Sequence, residues 1–305
     1  MMMLISLHRA VLPGFMALAL VTSAAQAQQS FSSPDEAAAA LAAAAKSGSS
    51  SAVEKVLGKD AEDIVDSGDE VADAETLKRF TAAYEAKHSI KAEGDKKATM
   101  ILGNDDFPFP IPLFKTRSGW EFATAEGRRE VLYRRIGRNE LDAIQACLAY
   151  VDAQNEYADQ DRGEGAGVYA QHIVSSPGKK DGLFWRDDRE PSPLGEFAAE
   201  ASSEGYKLKG KGAPYHGYYF RILKAQGSDA PGGALNYVVK GKMIGGFALI
   251  AYPAEYGNSG VMTFLVNHAG TVYQKDLGER TDFVAKRIIR FDPDQTWKKV
   301  DAAKP

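Results

Sequence analysis

The segment AYPAEYGNSG brings Tyr252, Glu255, Tyr256 and Asn258 together in one short loop between two strand-like stretches. Two phenol rings can stack on a sugar or a peptide, the carboxylate can accept or move a proton, and the amide can both give and accept hydrogen bonds. That set suits ligand recognition on a loop. Tyr215 and His216, at the head of another strand-like run, could join it. The competing structural reading has the tyrosines packing the rim of a sheet while Glu255 meets solvent or an arginine.

Several other chemistries lack their signatures. A serine nucleophile elbow needs G-x-S-x-G, and Gly257-Asn258-Ser259-Gly260 has the wrong spacing, which makes Ser259 a loop residue. None of His88, His172, His216 and His268 has a second histidine or a cysteine at zinc-site spacing, although His216 and His268 could meet across strands. The glycines at 227, 232, 233, 241, 245 and 246 form neither a phosphate-binding loop nor a dinucleotide fingerprint, and no cofactor is expected. The acidic stretch KDAEDIVDSGDEVAD lacks the ligand offsets of an EF-hand. In the run of Asp159, Asp161 and Glu164, Gly163 comes one place too early for that loop. Cys147 is the sole cysteine, so no internal disulfide can form, and its helical, apolar neighbours mark it as a small core residue.

The chain opens as an exported protein does. His8 and Arg9 give a weakly basic start, Ala10 to Val21 a short apolar stretch interrupted by Pro13, and Ala25-Gln26-Ala27 fits the small-x-small cleavage rule. Residues 1–27 are therefore expected to be a signal peptide, with no cysteine after the cleavage point to carry a lipid. The expected location is periplasmic or secreted, with no stable membrane insertion after cleavage. The net charge is −4, and removing Arg9 with the signal leaves the remainder more acidic. Such a balance argues against nucleic acid as a general partner and leaves an envelope protein or polymer, of unknown identity, as the partner class.

The elements that must position these residues fall into two parts, residues 28–137 and 138–305. Ser33-Pro34-Asp35-Glu36 reads as a helix start, with a capping hydroxyl, a first-turn proline and two acids on the positive end of the dipole. A second helix is expected over Asp73 to Lys87, then strands at Ala98 to Leu102 and Gly119 to Phe122. Between them, FPFPIPLF places proline at alternate positions, so one side of the segment cannot donate to a ladder. An edge strand or polyproline stretch follows. In GRREVLYRRIGR the arginines at 128, 129, 134, 135 and 138 read as a solvated face answering the acidic first segment, around an apolar Leu132 and Ile136.

Asn139 then reads as the cap of a second long helix, with Leu141, Ile144, Leu148 and Val151 as its buried stripe. Strands over His216 to Leu223, Phe247 to Tyr252, Val261 to Val266 and Thr271 to Lys275 are joined by short turns. They predict an antiparallel sheet with one face covered by that helix. The whole is α+β: an N-terminal helical and short-strand domain, then a long helix packed on an antiparallel sheet.

The stretches NDDFPFPIPL, RIGRNELDAIQACLAYVDAQNEYA, HGYYFRILKAQG and APGGALNYVVKGKMIGGFALIAYPAEYGNSGVMTFLVN resemble the domain-of-unknown-function family 2950, from about Ser32 to Val300. That resemblance implies a secreted bacterial protein and brings no activity and no catalytic residues. The second half is weakly similar to the globular part of type IV pilins and pseudopilins, but its helix carries charges where theirs is apolar. A non-enzymatic binding or assembly role in the envelope is the leading expectation. The alternative is an envelope hydrolase acting on cell-wall glycan or peptide, with Glu255 as acid or base.

Overall fold

The computed structural model describes residues 28–187, 189–207 and 213–300; the expected signal peptide lies outside them. Ser33 caps α1 (Pro34–Lys46), its hydroxyl accepting the Glu36 N–H at 3.1 Å, with Pro34 in the first turn. The alanine run gives α1 a smooth buried face of Ala37, Ala38, Leu41, Ala44 and Ala45. Helices α2 (Ser50–Leu57), α3 (Glu62–Val65) and α4 (Glu70–Ala86) follow. Next comes an antiparallel sheet in the order His88–Ala92, Lys97–Leu102, Leu113–Lys115, Trp120–Phe122. Leu41, Val53, Met100, Ile111, Leu113 and Phe122 fill the first core.

The proline-rich segment departs from a simple edge strand. Phe107–Pro108 does lie at an edge, but Leu113–Lys115 is held between Lys97–Leu102 and Trp120–Phe122. The prolines are tolerated because the amides between them do the donating. Phe109 N–H bonds the Met100 carbonyl at 2.8 Å, and Pro112 contributes its carbonyl to Ala123.

A single helix, α5 (Thr124–Ala158), replaces the two expected. It runs through Gly137 without a break, since one glycine costs a helix only about 1 kcal/mol and both flanks are packed. Asn139 is therefore not a cap. It is buried inside the helix, its amide donating to the Ser259 carbonyl at 2.9 Å. Of the expected stripe, Ile144 and Val151 are buried and Leu148 is partly buried, but Leu141 is not. Asn139, Ala143, Cys147, Tyr150 and Gln154 set the buried face, and Leu141, two residues from both Asn139 and Ala143, points away and is 63% exposed.

The second sheet is antiparallel, ordered Lys298–Lys299, Val272–Asp276, Met262–Asn267, Ala248–Pro253, Tyr218–Leu223. Every residue of Ala248–Pro253 is buried, so the sheet is covered on both faces rather than one. Helix α5 packs on it, while Arg221 ties the sheet to the carbonyls of Ala285 and Ile288, at the end of α7 (Thr281–Ala285) and just beyond it. Along the chain, between α5 and the strands of this sheet, come a parallel pair, His172–Val174 with Gly182–Phe184, and α6 (Gly195–Ser203). The protein is α+β, with two separate apolar cores and one helix that contributes to both.

The close approach of α5 to the proline-rich segment depends on Gly127. A Cβ there would stand 2.4 Å from the Pro110 carbonyl oxygen and 2.7 Å from Ile111 Cα. Gly127→Val should destabilise by about 2 kcal/mol or more, because backbone must move. Gly137→Ala meets nothing within 4 Å and should stabilise by up to about 1 kcal/mol. Urea denaturation of the two variants checks both signs.

Candidate functional site

The two halves meet through polar side chains carried by α5. Arg135 stands three and four residues before Arg138 and Asn139, which stand four and three before Asp142, so the four share a face. Arg135 is drawn in farthest. Its guanidinium donates to the carbonyls of Asp63 (2.8 Å) and Ile64 and to Asn258 Oδ1 (2.5 Å). Burial draws its pKa down, and the charges of Asp73 and Asp63 oppose that. Asn258 completes the joint by donating to the Asp66 carbonyl and to Glu255 Oε2, each at 2.9 Å.

A tight turn carries the histidine. Tyr215 and Tyr218 exchange backbone hydrogen bonds at 2.9 and 3.0 Å, with His216 (φ +47°) and Gly217 (φ +74°) between them. Positive φ at both central residues is what a two-residue type I′ hairpin demands. Glycine is required at 217 for space as well, because a Cβ would lie 2.6 Å from Asn139 Nδ2. Asp69 fixes the turn from below. Its Oδ1 caps α4, and its Oδ2 accepts the Tyr206 hydroxyl and the Gly217 N–H, both at 2.9 Å.

The turn holds the His216 ring between two carboxylates. Nδ1 is 2.6 Å from Asp142 Oδ2 and Nε2 is 2.8 Å from Glu204 Oε2. Burial works to lower the pKa of His216, but the two hydrogen bonds and the two negative charges outweigh it and push it up to about 9. At neutral pH the ring is an imidazolium donating from both nitrogens. It has no lone pair with which to ligate a metal or act as a base. Tyr206 and Tyr215 pack against it, and burial followed by nearby carboxylate charge raises both phenol pKa values.

Beside this cluster, between α4 and α5, opens a cleft of about 430 Å³. Its apolar lining is Leu41, Val53, Ile111 and Val131 with Leu77 and Phe80 of α4; toward the second half it is lined by Arg135, Arg138, Asp142, Glu204, Tyr206 and His216. Helix α4 has no fully buried side chain, so it roofs the cleft rather than closing it. Asp73, within the cleft, has its pKa raised by burial, while the Ser67 amide and hydroxyl bonds pull the other way.

Of the six residues singled out from sequence, His216 alone lines this cleft. Tyr215 stands behind it, among Phe197, Tyr206 and His216. Glu255 and Asn258 belong to the joint with the first half, where a Cβ on Gly68 would lie 3.0 Å from Glu255 Oε1. Tyr252 is buried in its strand beside Tyr219, and Tyr256 donates to Asp276 at 3.2 Å. His216 and His268 do not meet: His268 packs on Tyr237 and Phe247. Sequence reasoning missed Asp69, Arg79, Asp142, Glu204 and Tyr206. The polar spacing from Arg135 to Asp142 was a usable signal for Asp142, and the positive-φ pair in YHGY for the turn. Cys147 is buried as expected, its thiol pushed up to about 12 by burial. Among the described residues no group of three or more histidine, cysteine and acidic side chains is placed to hold a metal, and no helix is long and apolar enough to cross a membrane.

The raised pKa of His216 makes stability depend on pH with a definite sign. The contribution should be complete below about pH 6.5, the unfolded value, and should fade as pH rises through about 9. After discounting for solvent screening of a half-buried group it is worth about 1 kcal/mol. Urea midpoints of the natural chain should fall across that window, and His216→Asn should be less stable at pH 6 and flatter in pH.

No curated protein and no solved structure matches the chain. Residues 28–300 match the family described as "Protein of unknown function (DUF2950)", and the chain belongs to that family.

Proposed function

We propose that this is an exported envelope protein whose work is binding, and that its ligand enters the cleft between α4 and α5. The observation that carries the reading is the cleft itself, apolar on its floor and polar on its side toward the second half, within the size range of small-molecule sites. The signal-like residues 1–27 support export to the periplasm or beyond. Binding is favoured over turnover because His216, held between Asp142 and Glu204, has both ring nitrogens already engaged inside the protein. The hydrolase alternative has less support, since Glu255 stands outside the cleft and is engaged by Asn258. The assembly version rests on a weak sequence analogy to pilins that no solved structure supports, and such an analogy does not carry a function.

The test is a thermal-shift screen of the mature protein against fractionated envelope extract, cell-wall fragments and oligosaccharides. A ligand at a hundred times its Kd should stabilise by about 2.7 kcal/mol. Thr76→Trp, at an exposed residue lining the cleft, should abolish the shift without lowering the Tm of the free protein. A shift that survives this substitution places the ligand elsewhere and overturns the reading. Turnover of cell-wall fragments that is lost in Glu255→Gln overturns it in favour of the hydrolase.

A further inference from the structure

The charges around the cleft are nearly all answered from within the protein. Asp142 and Glu204 are taken by His216, Asp73 by Ser67, Glu75 by Lys78 at 3.7 Å, and Arg135 by backbone carbonyls and Asn258. Two cations are left. Arg138 and Arg79 both line the cleft, and among the described residues neither has a carboxylate within 4.0 Å. They sense one another: burial first and the charge of Arg79 next draw the Arg138 pKa down, and the charge of Asp142, itself bound to His216, opposes them. Two guanidiniums that repel at the edge of an apolar cleft form a receptor for an anion, which each can grip with two parallel N–H bonds.

The apolar part lies within reach of the same pair. Leu77 and Phe80 flank Arg79 on α4, and Val131 lies two turns from Arg138 on α5, about 10 Å along the helix axis. A volume of about 430 Å³ is near the lower end of small-molecule sites, which run from roughly 300 to 1,000 Å³, and suits one chain rather than two. Resting on the cleft as the binding site, we propose that its ligand is a single-chain amphipathic anion. Its carboxylate or phosphate head lies between Arg79 and Arg138, and its hydrocarbon chain lies against Leu77, Phe80 and Val131. Carboxylate and phosphate heads share this chemistry, and the probes below separate a fatty acid from a lipid phosphate.

Isothermal titration with laurate, dodecyl phosphate and dodecanol tests the head. At least one anion should bind about tenfold or more tightly than the alcohol, and whichever binds tighter names the source of the head. Arg138→Ala should weaken the anion about tenfold, with Arg138→Lys recovering part of the loss and Arg129→Ala, an exposed arginine outside the cleft, changing nothing. Among the described residues Arg138 makes no hydrogen bond to another side chain, so the Tm of its alanine variant should stay put, and Arg79→Ala provides a second, exposed site for the same test. A diazirine analogue of laurate should label α4 and α5. Affinity for dodecanol equal to that for both anions, or an unchanged Kd in both arginine variants, overturns the anion while leaving the cleft as a site. Labelling confined to other elements overturns both.

Discussion

A guanidinium taken out of water must have its hydrogen bonds returned to it, and at Arg135 they come from parts of the chain that have no other reason to meet. The carbonyls of Asp63 and Ile64 lie in a short acidic turn, and Asn258 lies in a loop of the second sheet. Removing any of these partners leaves a buried charge uncompensated, which is far more damaging than losing a surface contact. The constraint passes along the chain. Once residues 63–66 are fixed, Asp69 is placed to cap α4 and to reach Tyr206 and Gly217. That fixes the turn, and the turn delivers His216 to Asp142 and Glu204.

The same constraint accounts for the cleft. Two apolar cores that met directly would close on one another, as interiors pack without voids. Here α4 begins at a polar junction, where Asp69, Asp73 and Ser67 are bound to one another's backbone and side chains, and past its middle packs Phe80 against Phe109. Its first turn is held by hydrogen bonds and its third turn by aromatic contact. The space beneath its middle cannot be closed by sliding toward either. Polar satisfaction thus holds open an apolar floor that packing alone would fill.

Local signals in the sequence translated well. The Ser33 cap, the central strands of the second sheet and the buried Cys147 follow from propensity and period. What could not be read was whatever depends on pairing across distance. Glu204 lies beyond α6 and Asp142 on α5, and nothing local to either announces a histidine. Gly137 followed by Asn139 has the look of a helix boundary, but tertiary packing on both sides overrode it, and the buried face rotated away from Leu141. The loop of Tyr252, Glu255, Tyr256 and Asn258 shows the limit most plainly. Side chains rich in recognition chemistry were recruited to recognise the protein's own first half, or to pack within the second.

That recruitment bears on which groups remain able to act on anything else. A hydrogen-bonding group already satisfied inside the fold must break that bond to meet a ligand, so its net contribution to binding is small. His216, Asn258, Asp69 and Arg135 are all in that position. Arg79 gives one bond, to the exposed Thr76 hydroxyl at 3.2 Å, and both it and Arg138 keep unused donors and like charges that an anion between them would answer. A molecule entering the cleft therefore gains most where the protein has spent least on itself, at two arginines beside a wall of leucine, phenylalanine and valine.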